Sequence, residues 1–186
     1  NGGFGLGNGG FWVGNGGFSS GHGGFGLGNG GFWFGNGGFW VGNCGFWSGN
    51  CGFWAGNGGS AADCQHMAAE LVGRFEKERP PINSISLTTD TSALTAISND
   101  YGYENVFARQ LKANGKKNDV LIVISTSGNS KNLIKALQVA KKLKIYSIAL
   151  LGNNGGNIKK FANHSIIVQS KKTPRIQEVQ HTLCHI

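Results

Sequence analysis

The sequence predicts an α/β fold, a three-layer sandwich in which helices flank a mostly parallel five-stranded sheet. Short apolar segments alternate with amphipathic ones across residues 52–186. The most apolar of them, VLIVI at 120–124, is rich in β-branched residues and contains no polar residue, as expected for a strand covered on both faces. Strands that alternate with helices along the chain form a parallel sheet with helices on both of its faces.

The elements of this fold can be assigned in chain order. The predicted strands are 52–55, 84–87, 119–125, 145–151 and 164–169. The predicted helices are 61–78, 104–114, 130–143 and 174–186, with short helical pieces within 88–100 and near 158–162. Ser60 and Ser130 are expected to cap helices, and the pair Pro80-Pro81 is expected to end the first one.

A glycine-rich repeat segment precedes the predicted domain. Residues 1–56 are eight tandem heptapeptides of the type NGGFWVG and contain no Asp, Glu, Lys or Arg. The glycines, each costing about 1 kcal/mol in a helix interior, exclude a coiled coil despite the period of seven. Asn-Gly-Gly favours a turn and Phe-Trp-Val a strand, so short stacked strands are one interpretation. We favour the other, a low-complexity segment without a fixed fold, and interpret Cys44 and Cys51 as reduced cysteines and not metal ligands.

Composition limits the class of partner. All of the net charge of +8 lies after Gly56, on lysines that are scattered and not interleaved with aromatic residues. This pattern favours a solvated surface that attracts anionic substrates over a nucleic-acid interface. No apolar run approaches the roughly 20 residues of a membrane helix, no signal peptide is visible, and the four cysteines show no CxxC spacing. We expect a cytoplasmic protein with reduced thiols.

Two polar loops follow predicted strands and therefore lie at the same edge of the sheet. The loop after strand 119–125 carries three hydroxyls, Ser125, Ser127 and Ser130, around a turn at Gly128. Hydroxyls and free N–H groups at a helix N-terminus bind anions, and phosphate is the expected one. The alternative is an ordinary strand–turn–helix with a serine cap. The second loop, GNGGS at 56–60, opens the first helix.

Histidines and a carboxylate suggest a metal or acid–base site. His66 and Glu70 are four residues apart, so they share a helix face. Because their helix starts at the GNGGS loop, we expect that face to point toward the crevice at the sheet edge. The pair is half of a metal site or, alternatively, two surface residues. The last helix adds Gln177, His181 and His185 at four-residue steps, and spacing does not choose between the two histidines.

Together these motifs resemble the sugar isomerase (SIS) domain family and, within it, the bacterial phosphoheptose isomerases. The resemblance covers about residues 53–186. Relative to the family, the repeats stand where an N-terminal helical segment is expected, and the last helix stops early. The segments that carry the resemblance are GNGGSAADCQHMAAELVGRF (56–75), LTTDTSALTAISNDYGYENVFARQ (87–110), DVLIVISTSGNSKN (119–132) and TPRIQEVQHTLCHI (173–186).

The resemblance implies a homotetrameric isomerase. Its substrate would be a phosphorylated seven-carbon sugar, D-sedoheptulose 7-phosphate, converted through an enediol to D-glycero-D-manno-heptose 7-phosphate for lipopolysaccharide precursors. No nucleic acid or membrane partner is expected. The alternative is a non-catalytic SIS-domain regulator that binds a phosphosugar or a replication initiator. The presence of His66, Glu70, Gln177 and His185 favours the enzyme.

The resemblance also assigns roles to individual residues. Glu70 and His185 would be the acid–base pair that moves a proton between C1 and C2. One zinc ion per subunit would be held by His66, Glu70, Gln177 and His185, so the family pattern selects His185 over His181. The residues expected to contact the substrate are Asn57, Gly58, Gly59, Ser60, Glu70, Asn99, Asp100, Ser125, Thr126, Ser127, Ser130 and Gln177.

Overall fold

A computed structural model describes residues 51–185 in full and, within residues 1–50, only the backbone of six short strands. The chain divides into two compact units, Asn1–Ser48 and Gly49–Ile186. In the first unit the strands pair antiparallel in chain order. Short stacked strands joined by turns are one of the two interpretations of the repeats given above. The low-complexity interpretation stays a prediction, and Cys44 lies outside the described residues. The six strands are β1 (Phe4–Gly7), β2 (Gly10–Val13), β3 (Phe18–Ser19), β4 (Phe25–Leu27), β5 (Trp33–Gly35) and β6 (Gly38–Trp40).

The second unit is built on the predicted parallel sheet of five strands. Its strands are β7 (Gly52–Gly56), β8 (Ser84–Ser86), β9 (Val120–Ser125), β10 (Tyr146–Gly152) and β11 (His164–Val168). They lie in the order β11-β10-β9-β7-β8, and every neighbouring pair is parallel. The apolar segment predicted to be a buried strand is the central one, and its Leu121, Val123 and Ile124 are fully buried. The prediction of the fold class is therefore confirmed.

Helices cover the sheet as the alternation of elements predicts. They are α1 (Gly59–Val72), α2 (Thr91–Tyr101), α3 (Val106–Asn114), α4 (Lys131–Leu143) and α5 (Thr173–Cys184), with short 3₁₀ turns at Tyr103–Asn105 and Ile158–Lys160. Helix α1 packs on β7 and β8 and against α5, while α3 packs against α4. Under α1, the side chains of Trp54, Ile124 and Leu150 form an apolar cluster with Cys64 and Met67. This cluster fixes the position of α1 on the sheet.

The first helix departs from the prediction at both of its ends. It ends at Val72 and not near the proline pair, with the Gly73 N–H donating to the Ala69 carbonyl at 2.8 Å. The following loop folds back on the helix, because the Arg79 guanidinium donates to the carbonyl oxygens of Glu70 and Leu71 at 2.8 and 2.9 Å. Ser60 is not the cap. Gly58 takes that position, and Ser60 is buried inside the first turn.

Candidate active site

The glycine loop brings α1 and α5 into close contact. Gly58, the N-cap of α1, has φ 57 and ψ −124, a backbone conformation that only glycine adopts readily. A Cβ at Gly59 would lie 2.5 Å from Nε2 of Gln177 on α5. A larger residue there would therefore push the Gln177 amide away. The loop thus sets how closely the two helices approach at the carboxyl edge of the sheet.

Asn57 joins the glycine loop to the start of α4. Its Oδ1 accepts from Asn132 Nδ2 at 2.8 Å and from the Tyr103 hydroxyl at 3.1 Å, and its Nδ2 donates to Asn132 Oδ1 at 3.1 Å. Both the oxygen and the nitrogen of the Asn57 amide are hydrogen-bonded within the chain, so the side chain positions the loop. Its contact with a sugar stays a prediction. Sequence reasoning missed Asn132 and Tyr103. An asparagine in the first turn of a helix was the available signal, because Asn favours such ends over helix interiors.

The hydroxyl loop after β9 has the features of an anion site. Ser125 Oγ accepts from the Gly128 N–H at 3.1 Å, and Ser127 Oγ accepts from the Asn129 N–H at 3.2 Å, which leaves both hydroxyl protons to donate to a ligand. Ser130 is the N-cap residue of α4, as predicted, but its side chain makes no capping hydrogen bond. Its hydroxyl and the helix N-terminus are therefore available to a phosphate. Thr126 is half-buried beside them.

A second loop supports the hydroxyl loop from behind. Gly128 has φ 68, and a Cβ there would lie 2.3 Å from the carbonyl oxygen of Gly155. The Gly128 carbonyl accepts from the Ile158 N–H at 2.8 Å, and Asn129 Oδ1 accepts from the Asn157 N–H at 3.0 Å. The two loops are thus packed backbone against backbone, which holds the serines in fixed positions.

Two further expected substrate residues, Asn99 and Asp100, lie at the end of α2. Both are exposed, and Asn99 Nδ2 donates to Asp100 Oδ1 at 2.9 Å. The next turn places Tyr103 against Asn57, so this end of α2 is linked to the glycine loop. Their contact with substrate stays a prediction.

Helices α1 and α5 bring three of the four expected metal ligands together. Glu70 Oε1 lies 3.0 Å from His66 Nε2 and 3.7 Å from His185 Nε2. The other carboxylate oxygen, Oε2, is buried and has no hydrogen-bond partner within residues 51–185. An oxygen of this kind is available to a ligand, a metal ion or a substrate proton.

The fourth expected ligand, Gln177, lies elsewhere, and His181 stands closer to the cluster. Gln177 meets Gly59 in the first turn of α1, whereas His66 follows seven residues later, about 10 Å along the helix axis. Each of the histidines His66, His181 and His185 offers a ring nitrogen within 4.8 Å of those of the other two. A trio of imidazoles beside a carboxylate is a donor set that suits zinc.

Two cysteines, Cys64 on α1 and Cys184 at the end of α5, pack in the apolar cluster under α1. Burial, together with the charges of Asp63 and Glu70, raises the pKa of the Cys184 thiol to about 11. Burial also raises the pKa of Cys64 far above its usual value. A thiol with a raised pKa stays protonated at neutral pH, so neither cysteine is an activated nucleophile.

The cluster is not at the crevice where the sequence placed it. Helix α1 runs away from the carboxyl edge of the sheet, and Glu70 follows Gly59 by eleven residues, or about 16 Å along the axis. Within the single chain, the expectation that this helix face points into the crevice is therefore wrong. The physical reason is that residues on one helix face point in the same direction but lie at different positions along the helix axis.

Comparison with known proteins identifies the group to which these features belong. The family model described as the SIS domain matches residues 48–152. A phosphoheptose isomerase of Helicobacter pylori is 59% identical over 128 residues, covering 69% of this chain and 67% of the relative. One of Sulfurimonas denitrificans is 58% identical over 132 residues, covering 69% and 68%.

Solved structures agree with the sequence relatives. The structure of a phosphoheptose isomerase from Francisella tularensis is similar with a TM-score of 0.70 at 38% identity, covering 74% of this chain and 73% of that one. The corresponding structure from Neisseria gonorrhoeae gives 0.68 at 45% identity, covering 74% and 72%. Across the part of the chain that the structure describes, no helix is both long and apolar enough to cross a membrane.

Proposed function

Since the chain belongs to the SIS domain family, we propose that it is an isomerase that converts D-sedoheptulose 7-phosphate to D-glycero-D-manno-heptose 7-phosphate. Relatives 58% and 59% identical to it carry the name phosphoheptose isomerase. The structural observation that carries the proposal is the Glu70 carboxylate. One of its oxygens lies between two imidazoles, and the other is buried without a partner among the described residues. A carboxylate in this setting is suited to removing a proton from carbon.

The residues suggest a division of labour in the reaction. Glu70 removes a proton from C1 of the ketose and returns it to C2, with an enediol as the intermediate. His185, 3.7 Å from Glu70, supplies a proton to the oxygen on C2 and takes one from the oxygen on C1. The hydroxyl loop binds the phosphate and so fixes the reacting carbons relative to the base.

We also propose that the cluster holds one zinc ion per subunit. His66, Glu70 and His185 of the expected ligand set lie together, and the unpartnered Glu70 oxygen fits a site that receives a ligand. A bound zinc ion would polarise the sugar carbonyl. The residues themselves keep the base and the acid at a fixed separation on two packed helices.

We infer a homotetramer in which each sugar lies between subunits. The separation of about 16 Å along α1 between the glycine loop and Glu70 supports this inference. The glycine loop and the hydroxyl loop follow neighbouring parallel strands and lie at the carboxyl edge of the sheet, whereas the acid–base pair of the same chain lies well along α1 from that edge. Helix α2 contains no buried residue in the single chain, and Tyr101 and Tyr103 at its end are exposed. A helix of this kind is suited to an interface with another copy.

We place the enzyme in the cytoplasm, where its product would supply heptose for lipopolysaccharide precursors. Free Cys64 and Cys184 are consistent with a reducing compartment. The product class itself follows from the family relatives and not from any feature of the chain.

Turnover of sedoheptulose 7-phosphate by the purified chain, followed by NMR, tests the reaction. Glu70→Gln is expected to lower kcat by about 100- to 10,000-fold with little change in KM, because it removes the base and keeps the shape. The matched control is Glu78→Gln, since the Glu78 side chain is exposed and outside the cluster. Activity of the Glu70 variant within a few-fold of the parent would remove Glu70 from this role.

Mixed oligomers test whether the site is shared between subunits. One variant is Glu70→Gln, and the other is Ser127→Asp, whose carboxylate repels phosphate at the hydroxyl loop. Each alone is expected to be nearly inactive. Refolding the two together should restore part of the activity, because some sites then combine an intact loop with an intact Glu70. No recovery in mixed tetramers would mean that one chain supplies the whole site.

A further inference from the structure

The heptapeptide repeats and the strands of the first unit match one to one. The strands β1 to β6, here called the repeat array, lie in six successive copies of the repeat, one strand in each copy. Every pairing in this sheet therefore joins one copy of the heptapeptide to the next. In the pairing of β5 with β6, opposite residues are identical in type: Trp33 and Trp40, Phe34 and Phe39, Gly35 and Gly38. The repeat thus pairs with itself, and a second chain carries the same strands.

The repeat array, as the structure describes it, is an open sheet with an outer strand on each side. Its strands follow in the order β1 to β6, and among them β1 does not pair with β6. An edge strand presents a row of N–H and C=O groups to which a further strand can bind. A change in the number of copies moves this edge to another copy and does not remove it, because an open sheet always has two edges.

The residues that usually protect an edge strand are absent from this part of the sequence. Natural sheets carry lysine, other charged residues or proline on their edges, and these residues prevent pairing between molecules. Residues 1–56 contain no Asp, Glu, Lys, Arg or Pro. Each of the eight copies instead has phenylalanine at its fourth position, a residue that favours strands. The sequence therefore contains no lysine, carboxylate or proline that would keep the edges of two chains apart.

The directions of the strands decide how two chains can pair. Each of the five pairings in the repeat array is antiparallel, so β6 runs opposite to β1. The β1 strand of a second chain in the same orientation would therefore meet β6 antiparallel, as β2 meets β1 within one chain. A contact of this kind joins two different edges. It does not close into a dimer, and further chains can add at both ends.

We propose that the repeat array is a self-association module, in which β6 of one chain pairs antiparallel with β1 of a second copy and so extends the sheet. The pairing is the one that successive repeats already make within the chain. Strands β1 and β6 are four and three residues long. One contact supplies few hydrogen bonds, so the association is reversible and depends on concentration. The inference does not rest on the proposed function, since it involves no residue of the candidate active site.

Sedimentation velocity of the full chain over a range of concentrations measures this association. The weight-average mass is expected to rise at least two-fold between about 1 and about 100 µM. Leu6→Lys in β1 and Phe39→Lys in β6 each place a charge on one edge. Either variant alone should lose the rise in mass, because every contact needs both edges. Asn15→Lys is the matched control, since it adds the same charge between β2 and β3 and should leave the association unchanged.

Mixing the two edge variants makes the test decisive. The Leu6 variant keeps an unaltered β6 edge and the Phe39 variant an unaltered β1 edge, so an equimolar mixture should regain a mass that rises with concentration. In the unmutated chain, amide hydrogen exchange of β1 should slow as the concentration rises, whereas that of the inner strands β3 and β4 should stay the same. A constant mass of the unmutated chain, or no recovery in the mixture, would overturn the proposal. Association of either edge variant by itself would also overturn it, since like edges or nonspecific contacts would then suffice.

Discussion

Replacing Gly128 by alanine tests whether the packing of two loops holds the phosphate site. The residue has φ 68, and the new Cβ would lie 2.3 Å from the Gly155 carbonyl oxygen. The positive φ costs an L-residue about 1–3 kcal/mol, and forcing the loops apart costs about 1–3 kcal/mol more. We therefore expect the free energy of unfolding to fall by about 2–6 kcal/mol. The KM for the sugar phosphate should rise about ten-fold or more, because the displaced loop carries the serine hydroxyls.

Gly58→Ala is the matched control for stability. Gly58 also has a positive φ, 57, but a Cβ there would meet no atom within 4 Å. For this variant we expect the free energy of unfolding to fall by about 1–3 kcal/mol, from backbone strain alone. Urea unfolding followed by the circular dichroism of the helices measures both variants, and NMR turnover gives the KM of the Gly128 variant. Equal losses of stability, together with an unchanged KM, would refute a tight packing of the loops as the basis of phosphate binding.

Two further predictions concern single side chains. Ser127→Ala should raise KM by about ten-fold and change kcat little, because a hydrogen bond to phosphate contributes alike to the ground and transition states. The control is Ser92→Ala, at an exposed serine on α2. A fall in kcat instead of a rise in KM would show that the loop takes part in the chemistry. Gln180 is fully buried, and neither atom of its amide has a hydrogen-bond partner in the described part of the chain. Gln180→Met should therefore raise the free energy of unfolding by about 1–3 kcal/mol, as measured in urea. A loss of stability would indicate that water satisfies the amide.

Most of the fold could be predicted because its signals are local. A buried strand such as Val120–Ser125 is visible from its apolar residues alone, and the alternation with helices fixes a parallel sheet. The end of α1 could not be predicted in this way. It depends on Arg79, which reaches back across the loop to the main chain of Glu70, and a contact between residues nine apart leaves no periodic pattern.

The site was predictable in its residue types and less so in its geometry. Four-residue spacing correctly put His66 with Glu70 on one face, and His185 joins them across the helix pair. Spacing along α5 does not reveal how far that helix is shifted along α1. This shift decides that His181 and not Gln177 stands next to His66. It is set by the close approach at Gly59, a contact between helices more than a hundred residues apart in the chain.

The strand β7 has a consequence for how the repeat array can vary. It occupies Gly52–Gly56, within the last of the eight heptapeptides. The preceding copy offers nearly the same strand, GFWSG at 45–49. A slip by one copy would bring Ser48 to the fully buried place of Ala55 and Cys51 to the positive φ of Gly58. Because both replacements are unfavourable, only the final copy fits the sheet. Whole copies can therefore be gained or lost upstream without altering the sequence that forms the parallel sheet.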